Sequence, residues 1–169
     1  ENRSIVSDVP GTTRDSIDSY VENEYGKFTI VDTAGMRKKG KIEDAIEKYS
    51  MVRALSSIEK ASVSVILIDA TVGVTEQDTK VAGIAHNAGK ACIFAINKWD
   101  LIDKETGTLE AMTRIMKDRF SFMDYAPIIF ISAKTGQRVD KLFKTITEVH
   151  EQAGRRLKTG VFNDMLNEA

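Results

Sequence analysis

Four short apolar runs, each ended by a polar residue, constrain the fold of this chain more than any other feature of its sequence. The runs cover residues 28–31, 63–68, 91–96 and 128–131, and the residues that end them are Asp32, Asp69, Asn97 and Ser132. Near-continuous runs of this length are typical of strands that are buried on both faces of a parallel sheet. The sequence therefore predicts a parallel β-sheet with four polar residues at its strand ends.

Helical patterns lie between the runs. Apolar residues recur at the 3.6-residue spacing of a helix in four segments, 45–58, 81–88, 109–120 and 139–149. Strands that alternate with helices imply right-handed crossovers and helices on both faces of the sheet, which is the α/β fold class. We also expect residues 21–25 to form an antiparallel edge strand against residues 28–32, joined by the turn at Gly26 and Lys27.

Composition excludes several classes of protein. The 169 residues suit one domain, and 24 Lys+Arg against 25 Asp+Glu give a net charge of −1, which argues against a protein built wholly for nucleic-acid binding. One cysteine excludes an internal disulfide framework. No apolar run approaches the ~20 residues of a membrane span, and no signal-peptide pattern opens the chain. We therefore expect a cytoplasmic protein with no membrane partner.

The residues after the third run suit recognition of a guanine base. Ligands bind at the carboxyl ends of the strands in open α/β sheets, and Asn97-Lys98-Trp99-Asp100 stands there. The Asp100 carboxylate offers two adjacent acceptors for the N1–H and N2–H donors of guanine. Adenine would leave that carboxylate unpaired, at a cost of about 1–3 kcal/mol. Asn97 can tie the loop together and reach the base, and the Lys98 stem can lie along the base plane.

The residues after the fourth run complement this base site. They are Ser132-Ala133-Lys134. The Ala133 backbone N–H can donate to guanine O6, and Lys134 can cover the other face of the ring. These three residues therefore form the second half of the predicted base site.

Residues nearer the amino terminus suit the phosphates of a nucleotide. Asp32 is placed to hold Mg²⁺ through a water molecule, and Gly35 lets its backbone N–H approach a γ-phosphate closely. A loop with two hydroxyls, either of which can coordinate the same ion, precedes them as Pro10-Gly11-Thr12-Thr13-Arg14-Asp15.

These motifs together resemble a known family. Gly11–Asp15, Asp32–Gly35, Asn97–Asp100 and Ser132–Lys134 resemble the two switch regions and the two guanine-specificity motifs of bacterial translation-factor-like GTPases. Over essentially the whole chain the sequence is similar to the second GTPase domain of the EngA/Der ribosome-assembly GTPases.

The resemblance implies a Ras-like P-loop GTPase fold that binds GTP or GDP with Mg²⁺ and hydrolyses GTP slowly. It implies a partner in the maturing large ribosomal subunit and its rRNA, and neighbouring KH-like and GTPase domains. Thr13 is then the expected magnesium ligand beside Asp32, and Thr13 and Gly35 are the catalytic candidates. The expected nucleotide-binding residues are Pro10, Gly11, Thr12, Thr13, Asp32, Gly35, Asn97, Lys98, Asp100, Ser132, Ala133 and Lys134.

The sequence departs from the family pattern in two places. Met36 stands where many GTPases have a Gln that orients the attacking water. In several relatives with a hydrophobic residue there, a K⁺ ion supplies positive charge at the site, and the resemblance suggests K⁺ here as a hypothesis. No G-x-x-x-x-G-K-[ST] phosphate loop occurs in the chain. We therefore expect the first strand, that loop and the first helix to precede Glu1, so that residues 1–157 form an incomplete GTPase domain that is inactive alone. Residues 158–169 resemble the start of a KH-like domain.

Two other functions stay open at the level of sequence. One is a related GTPase with another client, such as tRNA modification or metal transport. The other is a non-catalytic interaction module that has a GTPase-like fold. The basic run Arg37, Lys38, Lys39 and Lys41 is either a solvated loop or a contact with ribosomal RNA.

Overall fold

The computed structural model describes residues 18–31 and 54–154. The magnesium and switch residues predicted near the amino terminus, most of the helical segment 45–58, the basic run and residues 155–169 lie outside this described part.

The first two strands form an antiparallel hairpin. Strands β1 (Ser19–Asn23) and β2 (Gly26–Ile30) pair in a register that places Val21 opposite Phe28. Glu24 and Tyr25 form the turn between them, and Gly26, which begins β2 directly after it, has φ +136°, a value that residues with a Cβ rarely adopt. The predicted antiparallel pairing is confirmed, but its bounds were wrong: the first strand covers residues 19–23 and not 21–25, and the turn lies at Glu24 and Tyr25 and not at Gly26 and Lys27.

The expectation that residues 28–31 form a strand buried on both faces of a parallel sheet was wrong for the described part of the chain. There β2 pairs antiparallel with β1, Thr29 is exposed, and Ile30 is 47% exposed. An apolar run of four residues does not by itself distinguish an edge hairpin strand from a central one.

The remaining strands form the predicted parallel sheet in the order β3-β4-β5. Strand β3 is Val63–Asp69, β4 is Ala91–Asn97 and β5 is Ile128–Phe130. Asp69 lies opposite Asn97 at the carboxyl end of the β3–β4 pair. Polar residues from adjacent strand ends therefore meet at one edge of the sheet.

Helices cover both faces of this sheet, as predicted. The helices are α1 (residues 54–60), α2 (Glu76–Asn87), α3 (Thr108–Arg119) and α4 (Val139–Ala153). Buried side chains of α1, α2 and α3 share one core cluster with residues such as Phe94 and Phe130. Leu142, Ile146 and Val149 of α4 pack against a second cluster on the opposite face, Ile93, Ala95, Ile129 and Ile131.

Burial differs between the strands. Residues 92–96 in the central strand β4 are all buried, as expected for a strand between two others and two layers of helix. In β3, however, Val65 is 37% and Leu67 45% exposed, so burial on both faces was wrong for this strand. The buried residues of the cluster beneath α4 come from β4 and from residues 129–131, and of β3 only Val63 packs against that cluster.

Helix α2 begins earlier than its apolar stripe indicates. Thr75 forms a capping box with Asp78, in which the Thr75 side chain accepts the Asp78 N–H and the Asp78 carboxylate accepts the Thr75 N–H. The helix ends as predicted before Gly89, which has φ +65°. There the Gly89 N–H donates to the His86 carbonyl and the Lys90 N–H to the Ala85 carbonyl, the pattern of a Schellman motif. None of the helices in the described ranges has the length and apolar character needed to cross a bilayer.

Candidate functional site

Two loops meet at the carboxyl ends of β4 and β5. The first begins with Asn97 and Lys98 and continues into a short 3₁₀ helix, Trp99–Leu101. The second, Ser132–Arg138, connects β5 to α4. The sheet brings them together because the Ile131 N–H donates to the Ile96 carbonyl at 2.8 Å and the Trp99 N–H to the Ile131 carbonyl at 3.0 Å.

A side-chain contact joins the two predicted base motifs directly. The Ala133 backbone N–H donates to Asn97 Oδ1 at 2.9 Å. Asn97 thus ties the loops together, although the two residues are 36 positions apart in sequence. This N–H is also the group expected to donate to guanine O6, so a bound base carbonyl would share it with Asn97 or displace Asn97 from it.

Trp99 anchors the first loop in the core. Its side chain is 3% exposed, and its ring centroid lies 4.5 Å from that of Phe130. Asp100 follows directly in the 3₁₀ helix and is half-buried. Burial of Trp99 therefore fixes the backbone from which the proposed base-reading carboxylate projects.

The second loop is ordered by its first residue. Ser132 is fully buried, its Oγ accepts the Thr135 N–H at 3.2 Å, and its own N–H donates to the Gln137 carbonyl at 3.0 Å. Ala133 and Lys134 are exposed at the top of this turn. Ser132 therefore serves as a support, and the groups available to a ligand come from the two residues after it.

Lys98 has an unusual backbone and a charged partner. Its φ is +63°, in the left-handed region that costs a residue with a Cβ roughly 1–2 kcal/mol. Its ammonium lies 2.6 Å from Asp69 Oδ2, while Asp69 Oδ1 accepts hydrogen bonds from the N–H and the hydroxyl of Thr71. The hydrogen bond from Lys98, followed by those from Thr71, lowers the pKa of Asp69 from 3.8 to about 2.

Asp69 has no role in the sequence-based site. The sequence places it at a strand end, where an acidic residue is usually a turn former. Its position on the strand next to the one that carries Asn97 and Lys98 was the one available signal, and only the three-dimensional contact identifies Lys98 as its partner.

The phosphate half of the predicted site cannot be placed. Pro10, Gly11, Thr12, Thr13, Asp32 and Gly35 all lie outside the described residues, and so do both expected magnesium ligands. Within residues 18–31 and 54–154, no group of three or more His, Cys, Asp or Glu side chains is arranged to hold a metal ion.

Comparison with known proteins identifies the family. The family model described as "50S ribosome-binding GTPase" matches residues 1–98. GTPase Der of Acetivibrio thermocellus is 60% identical over 169 residues, and GTPase Der of Ruminiclostridium cellulolyticum is 56% identical over the same length. Each alignment covers 100% of this chain but 38% of the relative, so the chain spans well under half the length of these proteins.

Solved structures give the same result for the fold. A crystal structure of Era in complex with MgGDPNP and nucleotides 1506–1542 of 16S ribosomal RNA matches with a TM-score of 0.63 and 28% identity, over 86% of this chain and 48% of that one. A probable GTP-binding protein engB matches with a TM-score of 0.63 and 19% identity, over 85% of this chain and 87% of that one. The parallel sheet, the helices on its two faces and these matches agree: the chain has a Ras-like α/β fold and belongs to the 50S ribosome-binding GTPase family.

Proposed function

We propose that the protein carrying this chain binds GTP and GDP through the loops after β4 and β5, hydrolyses GTP, and acts in assembly of the large ribosomal subunit. The observation that carries the proposal is the hydrogen bond from the Ala133 N–H to Asn97 Oδ1. It holds the two guanine-specificity motifs together, with Asp100 beside them on a buried anchor.

In this proposal the base is recognised by its edge and by its plane. Asp100 accepts the N1–H and N2–H of guanine, Ala133 and Asn97 face its acceptor edge, and the Lys98 and Lys134 stems cover the ring. Pro10, Gly11, Thr12, Gly35 and the magnesium ligands Thr13 and Asp32 are proposed to hold the phosphates. The magnesium ion would neutralise phosphate charge.

The experiment for base recognition is Asp100→Asn in the full-length protein. The side-chain oxygen of an Asn accepts the N1–H of either guanine or xanthine. Its NH₂ group donates to the O2 of xanthine, but in guanine it faces the N2–H group, which is also a donor. We expect GDP binding to weaken about 10- to 100-fold, the effect of one unpaired buried polar group, and xanthosine diphosphate binding to strengthen. Asp118→Asn, an exposed change on α3, is the matched control. Unchanged GDP binding by the Asp100 variant would contradict this site.

A finer hypothesis concerns the hydrolysis step. Met36 cannot orient water by hydrogen bonding, and a bound K⁺ would supply positive charge near the phosphates. We expect GTP hydrolysis by the full-length protein to rise when Na⁺ is exchanged for K⁺ at constant ionic strength. Equal rates in the two salts would reject K⁺ as an activator. They would not contradict the proposal that the protein binds guanine nucleotides.

The ribosomal part of the proposal rests on family membership and on the basic run after residue 36. The family description names the 50S subunit. Era, a structural relative, has been crystallised with nucleotides 1506–1542 of 16S ribosomal RNA, which is RNA of the small subunit and supports contact with ribosomal RNA in general. Lys38 and Lys39 would meet rRNA phosphates. The test is co-sedimentation of the full-length protein with large ribosomal subunits, comparing the parent with Lys38→Glu/Lys39→Glu. Unchanged co-sedimentation of the double variant would identify the run as a solvated loop.

A further inference from the structure

Asp69 occupies a fixed position beside the base site. It is the last residue of β3, lies opposite Asn97 in the register, and is 9% exposed. Its backbone is held by the loop that follows, because the Val72 and Gly73 N–H groups both donate to the Asp69 carbonyl, at 3.1 and 2.9 Å. The Ala70 N–H donates to the Asn97 carbonyl at 2.9 Å. The Asp69 carboxylate therefore starts from a rigid backbone that is hydrogen-bonded to the base-site strand.

The carboxylate is also fixed by its own hydrogen bonds. Oδ1 accepts the Thr71 N–H at 3.0 Å and the Thr71 hydroxyl at 2.6 Å, which leaves Oδ2 for the Lys98 ammonium at 2.6 Å. These donors keep the pKa of Asp69 at about 2, so the group is a permanent negative charge at neutral pH. Thr71 sets the orientation of the Asp69 carboxylate through Oδ1, and the other oxygen, Oδ2, contacts Lys98.

The contact determines the path of the Lys98 side chain. Lys98 follows β4 and its ammonium reaches the end of β3, so the four-carbon stem runs across the carboxyl ends of two adjacent strands. The side chain is 50% exposed. A lysine without a partner at this exposure would sample many rotamers, since its side chain carries about 2 kcal/mol of rotamer entropy. With its ammonium held, the exposed part of the stem is an ordered apolar surface.

We propose that Asp69 is a positioning residue of the nucleotide site, which holds the Lys98 ammonium so that the lysine stem forms a preordered wall for the plane of the purine base. The inference rests on the proposed nucleotide-binding function. Asp69 itself does not contact the edge of the base, and it affects nucleotide binding only through Lys98.

The experiment measures equilibrium binding of GDP to the full-length protein and to Asp69→Asn, Lys98→Met and the double variant. Asn has the shape of Asp without its charge, and Met keeps an apolar stem without an ammonium. We expect Asp69→Asn to weaken GDP binding about tenfold, the effect of one charge-assisted hydrogen bond. In the Lys98→Met background the same change should have no further effect, because Lys98 no longer provides an ammonium to hold.

Inosine diphosphate distinguishes this role from recognition of the base edge. It lacks the 2-amino group but presents the same ring plane, so Asp69→Asn should weaken GDP and inosine diphosphate binding by the same factor. Asp118→Asn is again the control and should bind GDP like the parent. Parent-like GDP binding by Asp69→Asn would overturn the inference, and so would a tenfold loss that persists in the Lys98→Met background. Absence of GDP binding by the parent would instead reject the proposed function itself.

A measurement without substitutions covers the case in which Asp69→Asn does not fold. Lys144 is a suitable internal reference, because its side chain is 62% exposed and its ion pair with Glu148 is longer, at 3.9 Å. We expect amine-labelling reagents to modify Lys98 several-fold more slowly than Lys144 in the nucleotide-free parent protein, as read by mass spectrometry. Equal labelling rates would show that the Lys98 ammonium is not held and would overturn the inference.

Discussion

Two non-glycine residues of the described chain have a left-handed backbone, Lys98 at φ +63° and Arg138 at φ +58°. Lys98 lies in the proposed base site, where strain of this kind is often found. Arg138 precedes α4 and closes the loop that carries Ala133 and Lys134. Both backbones were invisible in the sequence, because no local pattern of residue types marks a lysine or an arginine for this conformation.

Substitution of Arg138 measures the cost of its backbone. Glycine adopts positive φ without a Cβ clash, whereas alanine does not, so Arg138→Gly should be about 1 kcal/mol more stable than Arg138→Ala. Urea unfolding of the two variants checks this. The comparison between the variants cancels the loss of the arginine side chain, and equal free energies of unfolding would contradict the strain.

Acid sensitivity is the second prediction for single residues. Asp69 has a pKa of about 2 in the folded chain against an ordinary 3.8. Because the folded-state pKa is lowered, the ionised carboxylate stabilises the fold above about pH 4, and this contribution is lost as the pH falls toward about 2. Between those values the free energy of unfolding should fall more steeply for the parent than for Asp69→Asn or Lys98→Met. Parallel curves from urea unfolding at several pH values would contradict the ion pair.

At the scale of elements, the accuracy of the sequence-based prediction follows burial. The predicted apolar run 91–96 agrees with strand β4, Ala91–Asn97, to its last apolar residue. A strand that is covered on both faces has an apolar side chain at nearly every position, so its ends are marked in the sequence. For strand β2 the antiparallel pairing was predicted, but burial on both faces in the parallel sheet was wrong, since a short, mostly apolar run fits an edge hairpin equally well. The start of α2 was missed because a polar capping box, and not an apolar stripe, defines it.

The capping box gives a prediction for α2. Thr75 Oγ1 accepts the Asp78 N–H at 3.2 Å. Thr75→Ala therefore removes the side-chain acceptor of one of the first four N–H groups of the helix, which have no acceptor within the helix itself. The cost should be about 1 kcal/mol in the free energy of unfolding. Thr75→Ser keeps the hydroxyl and is the matched control. A serine variant that loses as much as the alanine variant would show that the methyl group, and not the cap, matters.

The hairpin contacts α4 through an aromatic pair and a hydrogen bond. The rings of Phe28 and Phe143 have centroids 5.0 Å apart at an interplanar angle of 53°, and the Thr147 hydroxyl donates to the Tyr25 carbonyl at 3.4 Å. An aromatic pair of this kind contributes about 0.5–1.5 kcal/mol beyond burial. A double-mutant cycle of Phe28→Leu and Phe143→Leu should therefore give a coupling free energy in that range, measured by urea unfolding. A coupling of zero would mean that the two rings do not stabilise one another.

At the scale of the whole molecule, the two hydrophobic clusters have different relations to the site. The cluster under α1–α3 includes Trp99 and Phe130, and Trp99 is part of the base-site loop itself. The cluster under α4 includes Ile129, the neighbour of Phe130 on β5, which faces the other way. Because side chains alternate along a strand, Phe130 packs on the face of the sheet that holds Trp99, and Ile129 packs on the opposite face. Sequence periodicity predicts that alternation, but not which cluster contains the tryptophan.

This division predicts that stability and ligand affinity can be separated within β5. Phe130→Leu removes the ring that lies 4.5 Å from Trp99, and Ile129→Val removes one methylene from the opposite cluster; each should lower the free energy of unfolding by about 1 kcal/mol. Only the Phe130 variant should weaken GDP binding, several-fold, because only it loosens the anchor of the loop that carries Asp100. Urea unfolding and GDP titration of the two full-length variants give both quantities. If Ile129→Val weakened GDP binding as much as Phe130→Leu, the site would depend on overall stability and not on the packing of Trp99.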